Sequence, residues 1–133
     1  MRQRIKVLVV DDSAVVRQTM AEILSSDRDI EVVGTAADPF IAAARLKDQV
    51  PDVITLDIEM PRMDGIELVR RIKQDEKLKS IPVMIVSYKD REEDRLRGLE
   101  AGADAYVTKS SFQEESWIGR VVDLVGEPEE GPA

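Results

Sequence analysis

The apolar residues of the chain concentrate in five short runs that alternate with longer amphipathic segments. Val, Ile and Leu dominate the first four runs, without the regular polar alternation of strands that face solvent on one side. Such runs are typical of strands buried on both faces of a parallel sheet. The runs, of which the last is the most polar, are Ile5 to Val10, Glu31 to Ala36, Val53 to Asp57, Pro82 to Ser87 and Asp104 to Thr108.

The segments between the runs predict helices. Ser13 is a candidate N-cap for a first helix, because apolar residues recur behind it at helical spacing. Asp38 followed by Pro39 combines a cap with a first-turn proline, and it opens a helix that reaches about Gln49.

The second half of the chain continues the alternation. A third helix is expected from about Gly65 to Asp75. Asp90 and Glu93 resemble a capping box in front of a fourth helix, which Gly102 would close. A fifth helix with a valine-rich apolar face ends the pattern. Five strands alternating with five helices predict an α/β fold in which helices cover both faces of a parallel sheet.

Length and charge narrow the possible functions. The chain has 133 residues, close to the usual size of one domain, and we expect a single domain over 1–126 with a flexible acidic tail over 127–133. The net charge is −8 and the pI about 4.6. Because phosphate binding needs clustered Lys and Arg, this charge argues against direct binding to nucleic acid or to an anionic membrane.

Two residue types are absent from the chain. It contains no cysteine and no histidine, which excludes disulfides, thiolate catalysis, sulfur-ligated zinc and phosphohistidine chemistry within this chain. No apolar stretch approaches the ~20 residues of a membrane-spanning helix. The apolar run near the N-terminus, Val7 to Val10, is shorter than a signal peptide requires. We therefore expect a cytoplasmic protein.

Reactive side chains follow the predicted strands, at the points where the strands end. In a parallel α/β sheet the ligand site lies at the carboxyl ends of the strands, so these side chains are expected to converge on one edge. They comprise three acids, two hydroxyls and one ammonium group: Asp11, Asp12, Asp57, Ser87, Thr108 and Lys109.

Three clustered carboxylates repel one another and call for a cation. Lys109 is one candidate, and a divalent metal is another. Because the available ligands are hard oxygens, they favour Mg²⁺ over zinc or copper. Asp57 stands alone at the middle of the edge and is the best candidate for a nucleophile that attacks a phosphoryl group. Lys109 would then neutralise the phosphoryl oxygens, and Ser87 would donate a hydrogen bond to them.

A purely structural interpretation competes with the chemical one. Asp11 alone is as well explained as a helix cap, Asp57 as a turn residue, Ser87 as a cap and Lys109 as a solvated charge. Each explanation is plausible singly. Together they require four strand ends to place such groups on one edge by coincidence, which favours a functional site.

The same residues resemble the receiver domain of bacterial response regulators, the CheY-like family. The resemblance covers Ile5 to about Gly126 and implies a flavodoxin-like (βα)5 fold with strand order 2-1-3-4-5. The matching segments, in the order of the chain, are VLVVDDS from Val7, TLDIEMPRMDG from Thr55, PVMIVS from Pro82 and GLEAGADAYVTK from Gly98.

The resemblance also implies residue roles. Asp57 would accept a phosphoryl group from a phosphohistidine on a sensor histidine kinase. Ser87 and Lys109 would contact that group, and Tyr106 would couple its presence to a partner-binding face formed by helix four, strand five and helix five. Mg²⁺ would be held by three carboxylates and one backbone carbonyl: Asp11, Asp12, Asp57 and the carbonyl of Glu59.

The resemblance is divided between two kinds of receiver. The first half, to about residue 66, is similar to the receiver of the chemotaxis methylesterase. The later stretch from Ser87 to Phe112 resembles receivers of chemotaxis-type hybrid histidine kinases. Because an esterase motif is missing, we expect no metabolic enzyme but a domain that catalyses only its own phosphorylation and dephosphorylation.

Four residues near the predicted pocket distinguish this chain. Ser110 follows Lys109 where the family usually has proline, often in a cis bond, so a trans bond is expected here. Tyr88 follows Ser87 where a small residue is commoner and would either narrow access to Asp57 or point away. Glu59 and Lys89 flank the pocket, where they would either pair across its mouth and slow the attack of water or remain two solvated side chains.

Other functions remain open from the sequence. One is an aspartyl-phosphate phosphatase of the haloacid dehalogenase kind, which places its nucleophile after the first strand rather than the third. Another is a phosphorylation-independent interaction module with the same fold. A flavin-binding domain is disfavoured because no glycine-rich loop follows the first run. Either a monomer or a phosphorylation-dependent dimer is compatible with the sequence.

Overall fold

The structure is a computed structural model that describes residues 4–57, 65–87, 91–108, 119 and 121–124. Residues 119 and 121–124 are helical. No helix within these ranges combines the length and the apolar character that crossing a membrane requires. The elements are β1 Ile5–Val10, α1 Ala14–Ser25, β2 Ile30–Ala36, α2 Pro39–Asp48, β3 Val53–Leu56, α3 Gly65–Gln74, β4 Val83–Ser87, α4 Glu92–Glu100 and β5 Ala105–Thr108.

The strands form one parallel sheet in the order β2-β1-β3-β4-β5, which confirms the predicted fold class. Val10 pairs with Leu56 in the β1–β3 ladder, and Leu56 pairs with Ile85 in the β3–β4 ladder. The carboxyl ends of β1 and β3 are therefore level, and β4 continues two residues further, to Ser87. This register brings the residues that follow β1 and β3 side by side.

Each face of the sheet has its own hydrophobic core, because the strands are mostly apolar and bury side chains on both faces. One core packs α2 and α3 against side chains such as Leu56 and Ile85. The other packs α1 and the helical stretch at 121–124 against side chains such as Val53 and Met84. Helices on both faces leave the strand ends as the place where polar groups meet.

The ends of the helices largely follow the predicted signals. The Ser13 hydroxyl accepts a hydrogen bond from the Val16 amide, and the Asp38 carboxylate accepts one from the Ile41 amide. The N-cap of α4 is Arg91, which makes no side-chain cap bond, and Asp90 of the predicted capping box lies outside the described residues. Three acidic residues in the first turn of α4, at 92–94, instead favour its positive N-terminal dipole.

A lysine ties together the loops at the opposite edge of the sheet. The Lys73 ammonium donates to the Ile81 carbonyl at 2.8 Å and to the Asp104 carboxylate at 2.9 Å. The same Asp104 oxygen accepts the Val83 amide at 2.9 Å. These bonds join the end of α3 to the starts of β4 and β5. No local sequence pattern indicates this contact, because the two charges lie 31 positions apart.

The β3 strand contains one buried hydroxyl without a hydrogen-bond partner in the described structure. Thr55 is fully buried, and its ladder partners Val9 and Met84 belong to the core packed under α1. A buried polar group left unsatisfied costs about 1–3 kcal/mol.

Thr55→Val should therefore raise the free energy of unfolding by about 1 kcal/mol, measured by urea denaturation. Thr55→Ser is the control, since it keeps the hydroxyl, loses a methyl group and should destabilise. A Val variant less stable than the parent would contradict the prediction.

Candidate functional site

The first component of the site is Asp11, which directly follows β1. Its backbone amide donates to the Ala36 carbonyl at 3.0 Å, so the β1–β2 ladder continues one residue past the strand. Its carboxylate accepts the Ser13 amide at 2.9 Å. Only 1% of Asp11 is exposed. The side chain is thus held at the sheet edge by the turn that begins α1.

The second component is Asp57, which directly follows β3. Its amide donates to the Val10 carbonyl at 2.9 Å and continues the β1–β3 ladder. The residue is 5% exposed, so the apolar β3 strand delivers a carboxylate into a largely desolvated position. Burying a charge is expensive unless another group compensates it. A buried carboxylate at this position therefore indicates a functional role rather than a simple turn residue.

The carboxylates of Asp11, Asp12 and Asp57 form one cluster in which the nearest oxygens lie within 4.8 Å of one another. Asp11 and Asp57 are buried, and Asp12 is exposed. The predicted convergence of these three acids is confirmed. Hard carboxylate oxygens at this separation, with one side open to solvent, suit a Mg²⁺ ion that keeps part of its water shell.

The neighbouring strands bring further predicted residues to the same edge. Ser87 ends β4 and is fully buried, and its ladder partner on β5 is Thr108. Tyr106 lies two residues earlier on β5 and is 9% exposed. A Cβ atom added at Gly98 of α4 would lie 3.1 Å from the Tyr106 ring, so the ring packs tightly under that helix. Strand β5 therefore contacts both the edge of the sheet that carries the acids and helix α4.

Several predicted residues lie outside the described part of the chain. Lys109 and Glu59, with the modulating residues Tyr88 and Lys89, belong to this group, so their roles stay predictions. The Lys109–Ser110 bond, predicted to be trans, also lies outside it.

Arg17, which was not among the predicted site residues, contacts the acid edge. Its guanidinium donates to the Asp11 carbonyl at 2.8 Å, and its own amide donates to the Ser13 carbonyl at 2.9 Å. The available signal was its spacing, since Arg17 lies four residues after the cap Ser13. That spacing returns a helical side chain toward the turn that precedes the helix.

Two other surface features are separate from the acids. A groove of about 710 Å³ between α2 and α3 is lined by residues such as Phe40, Val50 and Leu78, and by none of the clustered acids.

On α4, the Arg95 guanidinium lowers the pKa of the Glu92 carboxyl through a hydrogen bond, and Glu92 in turn raises the pKa of Arg95. Because both side chains face solvent, this pair has little bearing on the buried site.

Comparisons of the sequence and of the structure with known proteins identify relatives of the same kind. The sequence model of the response regulator receiver domain matches residues 7–118. A protein-glutamate methylesterase/protein-glutamine glutaminase of Geobacter metallireducens is 52% identical over 130 residues, covering 92% of this chain and 36% of that protein. The crystallised response regulator domain of Thermotoga maritima CheB is 32% identical with a TM-score of 0.83, covering 96% of this chain and 100% of that one.

A third relative is a chain of the CheX-CheY-BeF3-Mg²⁺ complex from Borrelia burgdorferi. It is 30% identical with a TM-score of 0.82, and the match covers 92% of this chain and 90% of that one. The chain spans about a third of the length of the curated relatives it matches, 36% for one methylesterase and 31% for another. The shared part is the receiver domain.

Proposed function

This chain belongs to the response regulator receiver domain family, and we propose that it is a phosphorylation-controlled switch in two-component signalling. Asp57 accepts a phosphoryl group from a partner histidine kinase. The observation that carries the proposal is the cluster of Asp11, Asp12 and Asp57, whose nearest carboxylate oxygens lie within 4.8 Å of one another at the carboxyl edge of the sheet.

In the transfer step, a carboxylate oxygen of Asp57 attacks the phosphorus atom of a phosphohistidine. The P–O bond to Asp57 forms, the P–N bond breaks, and the released imidazole nitrogen takes up a proton from solvent. Asp57 is suited to this role because its buried position leaves the carboxylate poorly solvated and its strand holds it in place. Ser87, buried at the end of β4, would donate a hydrogen bond to the phosphoryl oxygens.

The charges of the transferred group require compensation. Asp11, Asp12, Asp57 and the backbone carbonyl of Glu59 would hold Mg²⁺, which when bound neutralises charge on the phosphoryl oxygens. Lys109 would supply a second positive charge to the same oxygens. The family's dependence on an acidic pocket agrees with the oxygen-rich ligand set of this chain.

Return to the resting state occurs by hydrolysis. Water attacks phosphorus, the P–O bond to Asp57 breaks, and the aspartate carboxylate and inorganic phosphate are released. Glu59 and Lys89 would pair over the pocket and slow this attack, and Tyr88 would limit access. The domain thus catalyses its own phosphorylation and dephosphorylation and turns over no metabolite.

The output of the switch is a change in partner binding. Ser87 and Tyr106 would transmit the state of Asp57 to the face of α4, β5 and the helix that follows, and a downstream protein or output domain would bind there. The methylesterase relatives, which match 92% and 100% of this chain, favour a role in chemotaxis-like signalling. We propose a cytoplasmic location, a domain over 1–126 followed by an acidic tail, and a monomer or a phosphorylation-dependent dimer.

The test of this function is intact-mass spectrometry after incubation with acetyl phosphate and Mg²⁺. We expect one phosphoryl adduct, which fails to form in EDTA and is released by hydroxylamine, as an acyl phosphate should be. Phosphoramidate is the second donor, because it is small enough to pass a narrowed entrance beside Tyr88. A folded chain that takes a phosphoryl group from neither donor would contradict the proposal and favour a phosphorylation-independent interaction module.

A further inference from the structure

Arg17 ties the start of α1 to the acid edge through two hydrogen bonds. Its amide donates to the Ser13 carbonyl at 2.9 Å, as the first helical turn requires. Its guanidinium reaches back over that turn and donates to the Asp11 carbonyl at 2.8 Å. The Arg17 side chain is partly buried, so water competes less for this bond than it would at an exposed site.

The contact completes the immobilisation of Asp11. The Asp11 amide is bonded to Ala36, its carboxylate to the Ser13 amide, and its carbonyl to Arg17. The Asp11 carbonyl belongs to the peptide unit that also carries the Asp12 nitrogen. Because that unit is planar, fixing its carbonyl direction limits where the Asp12 carboxylate can lie. Asp12 is the exposed member of the cluster and gains most from such a restraint.

We propose that Arg17 is a positioning residue that sets the affinity and the selectivity of the acid cluster for Mg²⁺. It acts on the metal through Asp11 and Asp12, without serving as a ligand. This inference rests on the proposed function, because it requires the cluster to bind a divalent cation. Its chemical basis is that groups which orient metal ligands typically contribute about 10–100-fold to metal affinity.

Arg17 has two possible effects on metal binding, and they have opposite signs. Its positive charge lies beside the carboxylates and repels an incoming cation, so removing the charge alone would tighten binding. Its hydrogen bond orders the turn, so removing the bond alone would weaken binding. We expect the second effect to dominate, since water and the nearby acids screen the charge, whereas the hydrogen bond to the Asp11 carbonyl is direct, at 2.8 Å, and partly buried.

Selectivity separates ordering from charge more sharply than affinity does. Mg²⁺ demands near-ideal octahedral geometry, whereas Ca²⁺ accepts six to eight oxygens in a flexible arrangement. Both ions carry the same charge. A loosened Asp11–Asp12 turn should therefore weaken Mg²⁺ binding more than Ca²⁺ binding, whereas a lost charge should change both equally.

The experiment is calorimetric titration of the full chain and of Arg17→Met with MgCl2 and with CaCl2. Methionine keeps much of the arginine stem and removes the donors. We expect the Kd for Mg²⁺ to rise about tenfold and the Kd for Ca²⁺ to rise less. Arg17→Lys keeps a charge and one donor group, and it should bind Mg²⁺ more tightly than Arg17→Met.

Arg70→Met is the matched control, because Arg70 lies on α3 and pairs there with Glu67. It removes one positive charge from the protein and should leave both Kd values unchanged. Thermal unfolding in EDTA verifies that each variant is folded. Should Arg17→Met fail to fold, Arg17→Lys carries the test, with a lower preference for Mg²⁺ over Ca²⁺ expected than in the parent.

The outcomes distinguish this inference from the proposed function. A parent that binds no Mg²⁺ overturns the metal site itself and the inference with it. A parent that binds Mg²⁺, together with an Arg17→Met variant of equal or tighter affinity, overturns only the role of Arg17. Equal losses for Mg²⁺ and Ca²⁺ would also contradict it, because ordering of the turn predicts a change in selectivity.

Discussion

Asp57→Asn is expected to abolish the phosphoryl adduct formed with acetyl phosphate and Mg²⁺. The substitution is nearly isosteric, so the fold and the position of the side chain should persist. An amide oxygen is a far poorer nucleophile than a carboxylate oxygen and carries no charge for the metal. Intact-mass spectrometry of the parent and the variant under identical conditions measures the effect, which should be complete within detection.

The same substitution should change stability in a metal-dependent way. Without metal, Asp57→Asn removes one of three mutually repelling carboxylates, so the variant should unfold at a temperature at least equal to that of the parent. With Mg²⁺, only the parent should gain substantially, because a ligand that binds the folded state stabilises it in proportion to its affinity. Thermal unfolding with Mg²⁺ and with EDTA gives the four values needed.

The control for Asp57→Asn is Asp123→Asn, which removes an exposed carboxylate from the helical stretch at 121–124. Its phosphorylation and its response to Mg²⁺ should match those of the parent. An adduct that persists in Asp57→Asn would show that another residue accepts the phosphoryl group. Asp11 and Asp12 would then be the candidate acceptors. Their assignment as metal ligands, and that of Asp57 as acceptor, would have to be revised.

Gly102→Ala is expected to be strongly destabilising, although it lies far from the acid cluster. Gly102 follows the C-cap of α4 with φ of +117°, a conformation that L side chains rarely adopt. A Cβ atom there would also lie 2.8 Å from Cγ of Lys73. Backbone strain and overpacking together should cost about 3 kcal/mol. For a chain of this size, the melting temperature should fall by about 10 °C.

The Lys73 side chain cannot easily yield to the added methyl group. Its ammonium is held by the Ile81 carbonyl and by Asp104, so moving the stem would break bonds that join the end of α3 to two loops. When Gly102→Ala is combined with Lys73→Ala, the 2.8 Å contact with Cγ is lost, whereas the 3.3 Å contact with Cβ and the backbone strain remain. The double-mutant cycle should therefore show less than additive destabilisation, by about 1 kcal/mol.

Gly119→Ala is the matched glycine control for this prediction. Gly119 is helical, and a Cβ atom there meets no atom of the described residues within 4 Å. Alanine should stabilise this position by about 0.5–1 kcal/mol, since glycine is unfavourable within a helix. Opposite signs for the two glycines are the expected result. If Gly102→Ala is as harmless as Gly119→Ala, the C-terminal turn of α4 does not require glycine.

The sequence by itself was sufficient to predict the α/β class, the positions of the five strands along the chain and the identity of the clustered acids. Continuous apolar runs need burial on both sides, and their alternation with amphipathic helical segments indicates a parallel sheet covered by helices. Asp11 and Asp57 follow such runs directly, so their meeting at one edge follows from the parallel arrangement. The helix caps at Ser13 and Asp38 are equally local, because a cap depends on residues within a single turn.

Only the tertiary structure decided the contacts that join residues distant in sequence or chemically unremarkable. The Lys73–Asp104 pair, the unpaired hydroxyl of Thr55 and the bond from Arg17 to the Asp11 carbonyl arise from packing. A local pattern specifies which groups reach the sheet edge, whereas the direction and ordering of each group depend on neighbours brought together by the fold.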